Sequence, residues 1–157
     1  MDLIIIGAGP GGYPTAIAAA QAGLQVTLIE SKNLGGTCLG EGCIPTKTLC
    51  RSAEVADTLR ESHNYGIALP EGTMPQVNLP AVIARKDQVI ATLRQGIQSL
   101  MRTPGISLLE GTARFVDDHI LSVSTAEGEQ TLTAPHIIIA TGSESRSLPI
   151  PGAQIPQ

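Results

Sequence analysis

Cys38 and Cys43 stand five residues apart in the block Gly35-Gly36-Thr37-Cys38-Leu39-Gly40-Glu41-Gly42-Cys43-Ile44-Pro45-Thr46-Lys47. Upstream, residues 7–12 read Gly-Ala-Gly-Pro-Gly-Gly. A thiol pair close behind a glycine turn of this kind points to two-electron chemistry, passed between a bound cofactor and a disulfide. In a regular helix, residues five apart have Cα atoms roughly 8–9 Å from one another. That exceeds the ~7 Å reach of a disulfide. Gly40 and Gly42 let the chain bend, so a linked pair belongs in a distorted turn entering a helix near Cys43. There the partial positive charge of the helix N-terminus favours thiolate over thiol. Cys38, further out in the loop, is the thiol better placed to exchange with a substrate. Glu41, between the two, opposes thiolate formation by its own charge. Unlinked buried thiols are the bland alternative. A zinc site would draw on Cys50, His63, His119 or His136, and none falls at zinc-finger spacing. Cys50 by itself reads as a small core residue of the following helix.

Gly7, Gly9 and Gly12 are the fingerprint glycines of a dinucleotide-binding turn. They serve the tight turn, the close approach of backbone to pyrophosphate, and the packing of helix on strand. The helix that follows offers free N–H groups and a partial positive charge to phosphates. Glu30 lies 23 residues beyond Gly7, at the predicted end of the next strand, where a carboxylate accepts from ribose hydroxyls. An acid there disfavours a 2′-phosphate, which selects FAD or NAD over NADP.

The surrounding pattern predicts the elements that hold these residues. Residues 2–6 read as a strand, 11–23 as an Ala-rich helix with Pro14 in its first turn and Gly23 as its stop, and 26–29 as a second buried strand. Together they form a βαβ unit. A helix runs from Ile44 to about Ser62, with Leu49, Val55 and Leu59 on related faces. Gly66 to Pro80 is a loop. Leu79 to about Arg102 is the longest periodic segment, with Val82, Val89, Ile90, Leu93, Ile97, Leu100 and Met101 at helical spacing. Short strands are predicted at 106–109, 112–116, 120–124 and 130–133. The continuous apolar run His136–Ala140 reads as a buried parallel strand, and a linker follows over 149–157. No internal repeat or low-complexity tract is present.

Composition bounds the function class. The chain has 157 residues, 42% hydrophobic and 15% charged, enough for one globular domain. Aromatic residues are 2% with no Trp, so the core falls to Ile, Leu, Val and Ala. A net charge of −4 argues against nucleic acid, which needs a basic face. Asp2 stands where a secretory signal would be basic, and no apolar run approaches the roughly 18 residues of a membrane span. The expected setting is cytoplasmic, where a close cysteine pair is more often catalytic, redox-sensing or metal-binding than a staple.

With both motifs in place, the chain resembles the N-terminal flavin segment of the pyridine nucleotide–disulfide oxidoreductases. The motifs carrying this are Gly7–Gly12, Glu30, Gly35–Lys47, and Ala140-Thr141-Gly142-Ser143 ahead of Pro149-Ile150-Pro151-Gly152. Gly-Cys-Ile-Pro-Thr-Lys at 42–47 is similar to the lipoamide branch; glutathione reductases usually carry Lys at the position of Thr46, and mercuric reductases are the alternative. The resemblance implies an α/β fold: a Rossmann-like FAD-binding domain with a parallel sheet and an added β-meander over 1–148, incomplete, with 149–157 leading toward an NAD-binding domain missing here. It assigns Gly7, Gly9, Pro10, Gly11 and Gly12 to the FAD pyrophosphate and Glu30 to its adenosine ribose, with Ser31 and Lys32 also at the cofactor. Gly36, Thr37 and Cys38 would pass close to FAD, Lys47 would lie beside the isoalloxazine, and Ala113 would meet the adenine end. Ala140, Thr141 and Gly142 would close over the flavin nucleotide. Cys38 would be the interchange thiol and Cys43 the one nearest the flavin, with no metal. The implied activity is oxidation of dihydrolipoamide through the Cys38–Cys43 pair and FAD to NAD, within a homodimer serving lipoyl groups of 2-oxo acid dehydrogenase or glycine cleavage complexes. A truncated, non-catalytic FAD-binding module is the other reading, and residues 1–157 alone are expected to be inactive. Two positions depart from the family: Gly40 replaces the usual Asn, and Glu41 a common Val. None of the three histidines matches the family's general base.

Overall fold

The computed structural model describes residues 1–70, 72–144 and 146–153. Strand β1 (Leu3–Ile6) runs into the glycine turn, helix α1 (Tyr13–Gln21) leaves it, and β2 (Val26–Glu30) returns parallel to β1, pairing Leu3 with Val26 through Ile6 with Ile29. Pro14 lies in the first turn of α1, where its missing N–H costs no helical hydrogen bond. The chain then makes a helical excursion: α2 (Gly36–Gly40), α3 (Cys43–Arg60), a 3-10 turn (Ser62–Tyr65) and α4 (Leu79–Leu100). It rejoins the sheet as β3 (Ile106–Glu110) beside β2. A meander follows of β4 (Thr112–Asp117), β5 (Ile120–Thr125) and β6 (Gly128–Thr133), and β7 (His136–Ile139) closes the series beside β1. The parallel sheet has order β3-β2-β1-β7, and the antiparallel sheet β4-β5-β6.

Side chains alternate across β1 and β2, so the two faces of the parallel sheet build two cores. Leu3, Ile5, Val26 and Leu28 pack with Ala16 of α1 and with Met101, just past α4. Ile4 and Ile29 point the other way, onto Leu121 and Val123 of β5 and Ala134. Burial on both faces explains why β1 reads as an unbroken apolar run. A third cluster joins Leu39 of α2 to Ile90 and Ile97 of α4.

The structure redraws three sequence expectations and settles which face of α3 is covered. The segment around Cys38 is not loop but the short helix α2. Cys50 is exposed rather than in the core. Leu49, Val55 and Leu59 are 36%, 45% and 42% exposed; α3 buries Thr48 and Ala56 instead. The strand at β7 is parallel as expected, but it occupies a sheet edge and leaves Ile138 and Ile139 37% and 65% exposed. Among the described residues nothing pairs with its outer side. Residues 154–157 of the expected linker lie outside the described residues.

Leu121 has no exposed surface and is the centre of the meander's contact with the sheet. Leu121→Ala removes about 2–5 kcal/mol of stability on the scale of buried leucine deletions. Urea unfolding should show the fall in midpoint with an unchanged slope.

Candidate dinucleotide and disulfide site

Cys38 and Cys43 form a disulfide with Cα atoms 4.7 Å apart, far closer than helical spacing would place them. The bend is made by one carbonyl. Thr37 O accepts both Glu41 N (2.9 Å) and Gly42 N (2.7 Å), ending α2 and reversing the chain. Gly42 is then the N-cap of α3, whose first residue is Cys43. The expected distorted turn is therefore present, and Cys43 sits where an eighteen-residue helix concentrates its partial positive charge. Lys47 follows one turn later on the same face and is exposed. Exposure ranks the two cysteines opposite to the outer-and-inner expectation: Cys43 is exposed and Cys38, held within α2, is half-buried.

The disulfide adjoins the glycine turn through backbone. Gly35 N donates to Ala8 O (2.9 Å). Gly36 has φ +56°, and a Cβ there would lie 2.8 Å from Gly9 Cα. On the opposite wall, a Cβ on Gly7 (φ +102°) would strike the Ala140 carbonyl group, whose carbon would be 2.8 Å away. The turn at the end of β1 is thus held between Gly36 on one side and Ala140-Thr141 on the other. This lies beyond the carboxyl ends of the strands, where open parallel sheets bind ligands.

The residues present fit a dinucleotide. Among the described residues the N–H groups of Gly9 and Gly11 have no hydrogen-bond acceptor, although they stand at the start of α1; that leaves them for phosphate oxygens. The Glu30 carboxylate is fixed by two backbone donors, Ala8 N to Oε2 (2.7 Å) and Lys32 N to Oε1 (2.8 Å). Each oxygen keeps a lone pair for a ribose hydroxyl. Gly111 N donates to Glu30 O (2.9 Å), which sets Ala113, at the start of β4, on the same end of the sheet as Glu30. Ser31, Thr37, Thr141 and Gly142 are exposed around this crevice, as are Pro10 and Gly11. Gly12 is buried beneath the turn.

Two side chains in the neighbourhood, Glu144 and Arg94, escaped sequence reading. Lys32 Nζ forms an ion pair and hydrogen bond with Glu144 Oε1. That bond, and then simple charge attraction, holds the Lys32 ammonium above its ordinary value and the Glu144 carboxyl below its own, with Glu41 and Glu30 adding smaller pulls on Lys32. Arg94 of α4 brings Nη2 to 3.7 Å from the position a Cβ on Gly40 would take, and its buried Nε has no partner among the described residues. The only sequence signal for Arg94 was its place between Ile90 and Ile97 on one helix stripe. The three histidines do not join the site, and no group of three or more potential metal-ligating side chains is found among the described residues.

A glycine turn, an acid at the next strand end and a disulfide thus lie together at one end of a parallel sheet. The chain belongs to the pyridine nucleotide-disulphide oxidoreductase family, whose model matches residues 1–156. It is 44% identical over 149 residues to dihydrolipoyl dehydrogenase of Bacillus subtilis (strain 168), covering 95% of this chain and 32% of that protein. It is 42% identical over 151 residues to dihydrolipoyl dehydrogenase 1, mitochondrial, of Arabidopsis thaliana, covering 94% and 29%. The HOCl-induced flavoprotein disulfide reductase RclA from Escherichia coli superposes with a TM-score of 0.78 at 32% identity, covering 97% of this chain and 30% of that one. The chain thus spans about 30% of the length of these relatives. Among the described residues no helix is long and apolar enough to cross a membrane.

Two glycines of α2 should respond oppositely to a methyl group. Gly36→Ala places a Cβ against Gly9 backbone and asks alanine for a left-handed conformation costing roughly 1–2 kcal/mol. It should lower the thermal midpoint by about 2–4 °C for each kcal/mol lost, read by circular dichroism. Gly40→Ala meets only the end of the Arg94 side chain at ordinary contact distance, and its φ is not left-handed. Its thermal midpoint should stay level or rise.

Proposed function

We propose that this chain is the flavin- and disulfide-bearing segment of an enzyme that oxidises dihydrolipoyl groups and delivers the electrons to NAD⁺. Bound FAD would accept two electrons from the cysteine pair and supply hydride transfer to the nicotinamide. Gly7, Gly9, Pro10, Gly11 and Gly12 would hold its pyrophosphate, Glu30 its ribose, Ala113 its adenine end, and Ala140–Gly142 the far wall. Lys47 sets a fixed cation on the face of α3 that carries Cys43. The observation that carries this reading is the seating of the disulfide helix on the glycine turn, Gly36 against Gly9.

The thiol chemistry follows from the two cysteines. A dihydrolipoyl thiolate attacks Cys38 Sγ, the Cys38–Cys43 bond breaks, and Cys43 leaves as a thiolate stabilised at the N-terminus of α3. The second dihydrolipoyl thiol loses its proton and attacks the lipoyl sulfur of the mixed disulfide, releasing Cys38 as a thiolate. The lipoyl group is oxidised to its cyclic disulfide, the cysteine pair is reduced by two electrons, and two thiol protons are lost. Lipoyl as the substrate draws on the dihydrolipoyl dehydrogenase relatives and on Gly-Cys-Ile-Pro-Thr-Lys at 42–47.

The exposure of the two cysteines tests the roles. In this reading the open face of Cys43 is the face that FAD covers. In the single-thiol variants Cys38→Ser and Cys43→Ser, which cannot re-form the disulfide, FAD should slow alkylation of Cys43 by about tenfold or more, while Cys38 changes less than about twofold, read by mass spectrometry of the peptides; a tenfold change corresponds to 1.4 kcal/mol of protection. Equal protection of both, or protection of Cys38 alone, contradicts the assignment.

A further inference from the structure

Taking the glycine turn as an FAD site, the loops on either side of it raise a question about how a cofactor gets in. Strands β2 and β7 flank β1, so their ends stand about 10 Å apart at two strand spacings. The glycine turn leaves β1 in the gap between them. Lys32 lies two residues beyond β2 and Glu144 five beyond β7, and their side chains meet as an ion pair. A bond between the two outer loops therefore spans the end of β1.

Both ends of that bond bear on residues of the site. The backbone N–H of Lys32 is tied to Glu30 Oε1 at 2.8 Å, so its ammonium is carried on the same short segment as the ribose-facing acid. The other end is looser. Among the described residues, the bond from Lys32 is the only hydrogen bond made by residues 141–144. Thr141 and Gly142, on the far wall of the crevice, thus have no other hydrogen-bonded tether.

We propose that the Lys32–Glu144 ion pair is a latch across the mouth of the crevice, which holds the 141–144 loop in place and sets the rates at which FAD enters and leaves. The side chains are 70% and 77% exposed, so the latch is a modest and salt-screened device. Its effect on rates is accordingly about two- to fivefold, in line with exposed ion pairs.

Glu144→Gln tests it, because the alternative gives the opposite sign. If Lys32 served only as a counter-charge to the phosphates, freeing it from Glu144 would slow FAD release. A latch predicts that both association and release speed up, by about two- to fivefold at low salt, with little change in Kd and a smaller difference at high salt. Association is followed by stopped-flow quenching of FAD fluorescence, and release by its recovery on dilution. Release that is unchanged or slower in Glu144→Gln, with wild-type binding intact, overturns the latch and leaves the FAD site standing. A wild-type chain that binds no FAD overturns the site reading and the latch with it.

Discussion

The structure depends on one close approach of backbone to backbone, Gly36 against Gly9. Neither residue has a side chain, so α2 seats directly on the turn after β1, and Gly35 N to Ala8 O fastens it there at 2.9 Å. Any larger residue at Gly36 would push against Gly9 Cα. Because α2 is anchored this way, Cys38 on it has a fixed place relative to the crevice. The double acceptance by Thr37 O then folds the chain back and brings Cys43 to its partner. Glycine turn and disulfide are positioned by one set of glycines.

Around that contact the labour is divided between layers. The parallel sheet with α1 and the meander supplies the two apolar cores that hold the turn rigid. The redox pair belongs to the helical excursion between β2 and β3, supported separately by Leu39 packed on Ile90 and Ile97. A thiol pair built on a helix N-terminus and backed by a packed helix keeps its geometry through bond cleavage better than one on a free loop. Arg94, with its stem on the same stripe and its Nη2 near Gly40, adds a cation behind α2.

The βαβ unit was legible because its signals are local and agree: an apolar run, a glycine fingerprint, an Ala-rich helix, and an acid at the next strand end. Helix α2 was not, since five residues are too few to show a helical period. Periodicity in α3 put Leu49, Val55 and Leu59 on related faces but did not show which face is covered; all three are exposed, as is Cys50, which read as a core residue. The run at β7 carries the composition of a buried strand, yet burial is decided by neighbours, and this strand lies at an edge. The Lys32–Glu144 pair joins residues 112 apart; no local pattern could announce it. Of the two cysteines, spacing and the glycines between them located the bend, while the order of their exposure required the fold.

If cradle and disulfide are one site, cofactor binding and thiol oxidation must be thermodynamically linked. The direct measurement is the reduction potential of the Cys38–Cys43 pair, poised against a thiol–disulfide buffer, with and without saturating FAD. A shared site requires the two potentials to differ, by about 30 mV for each tenfold preference of FAD for one redox form. Coincident potentials, with FAD binding verified in the same samples, would contradict it.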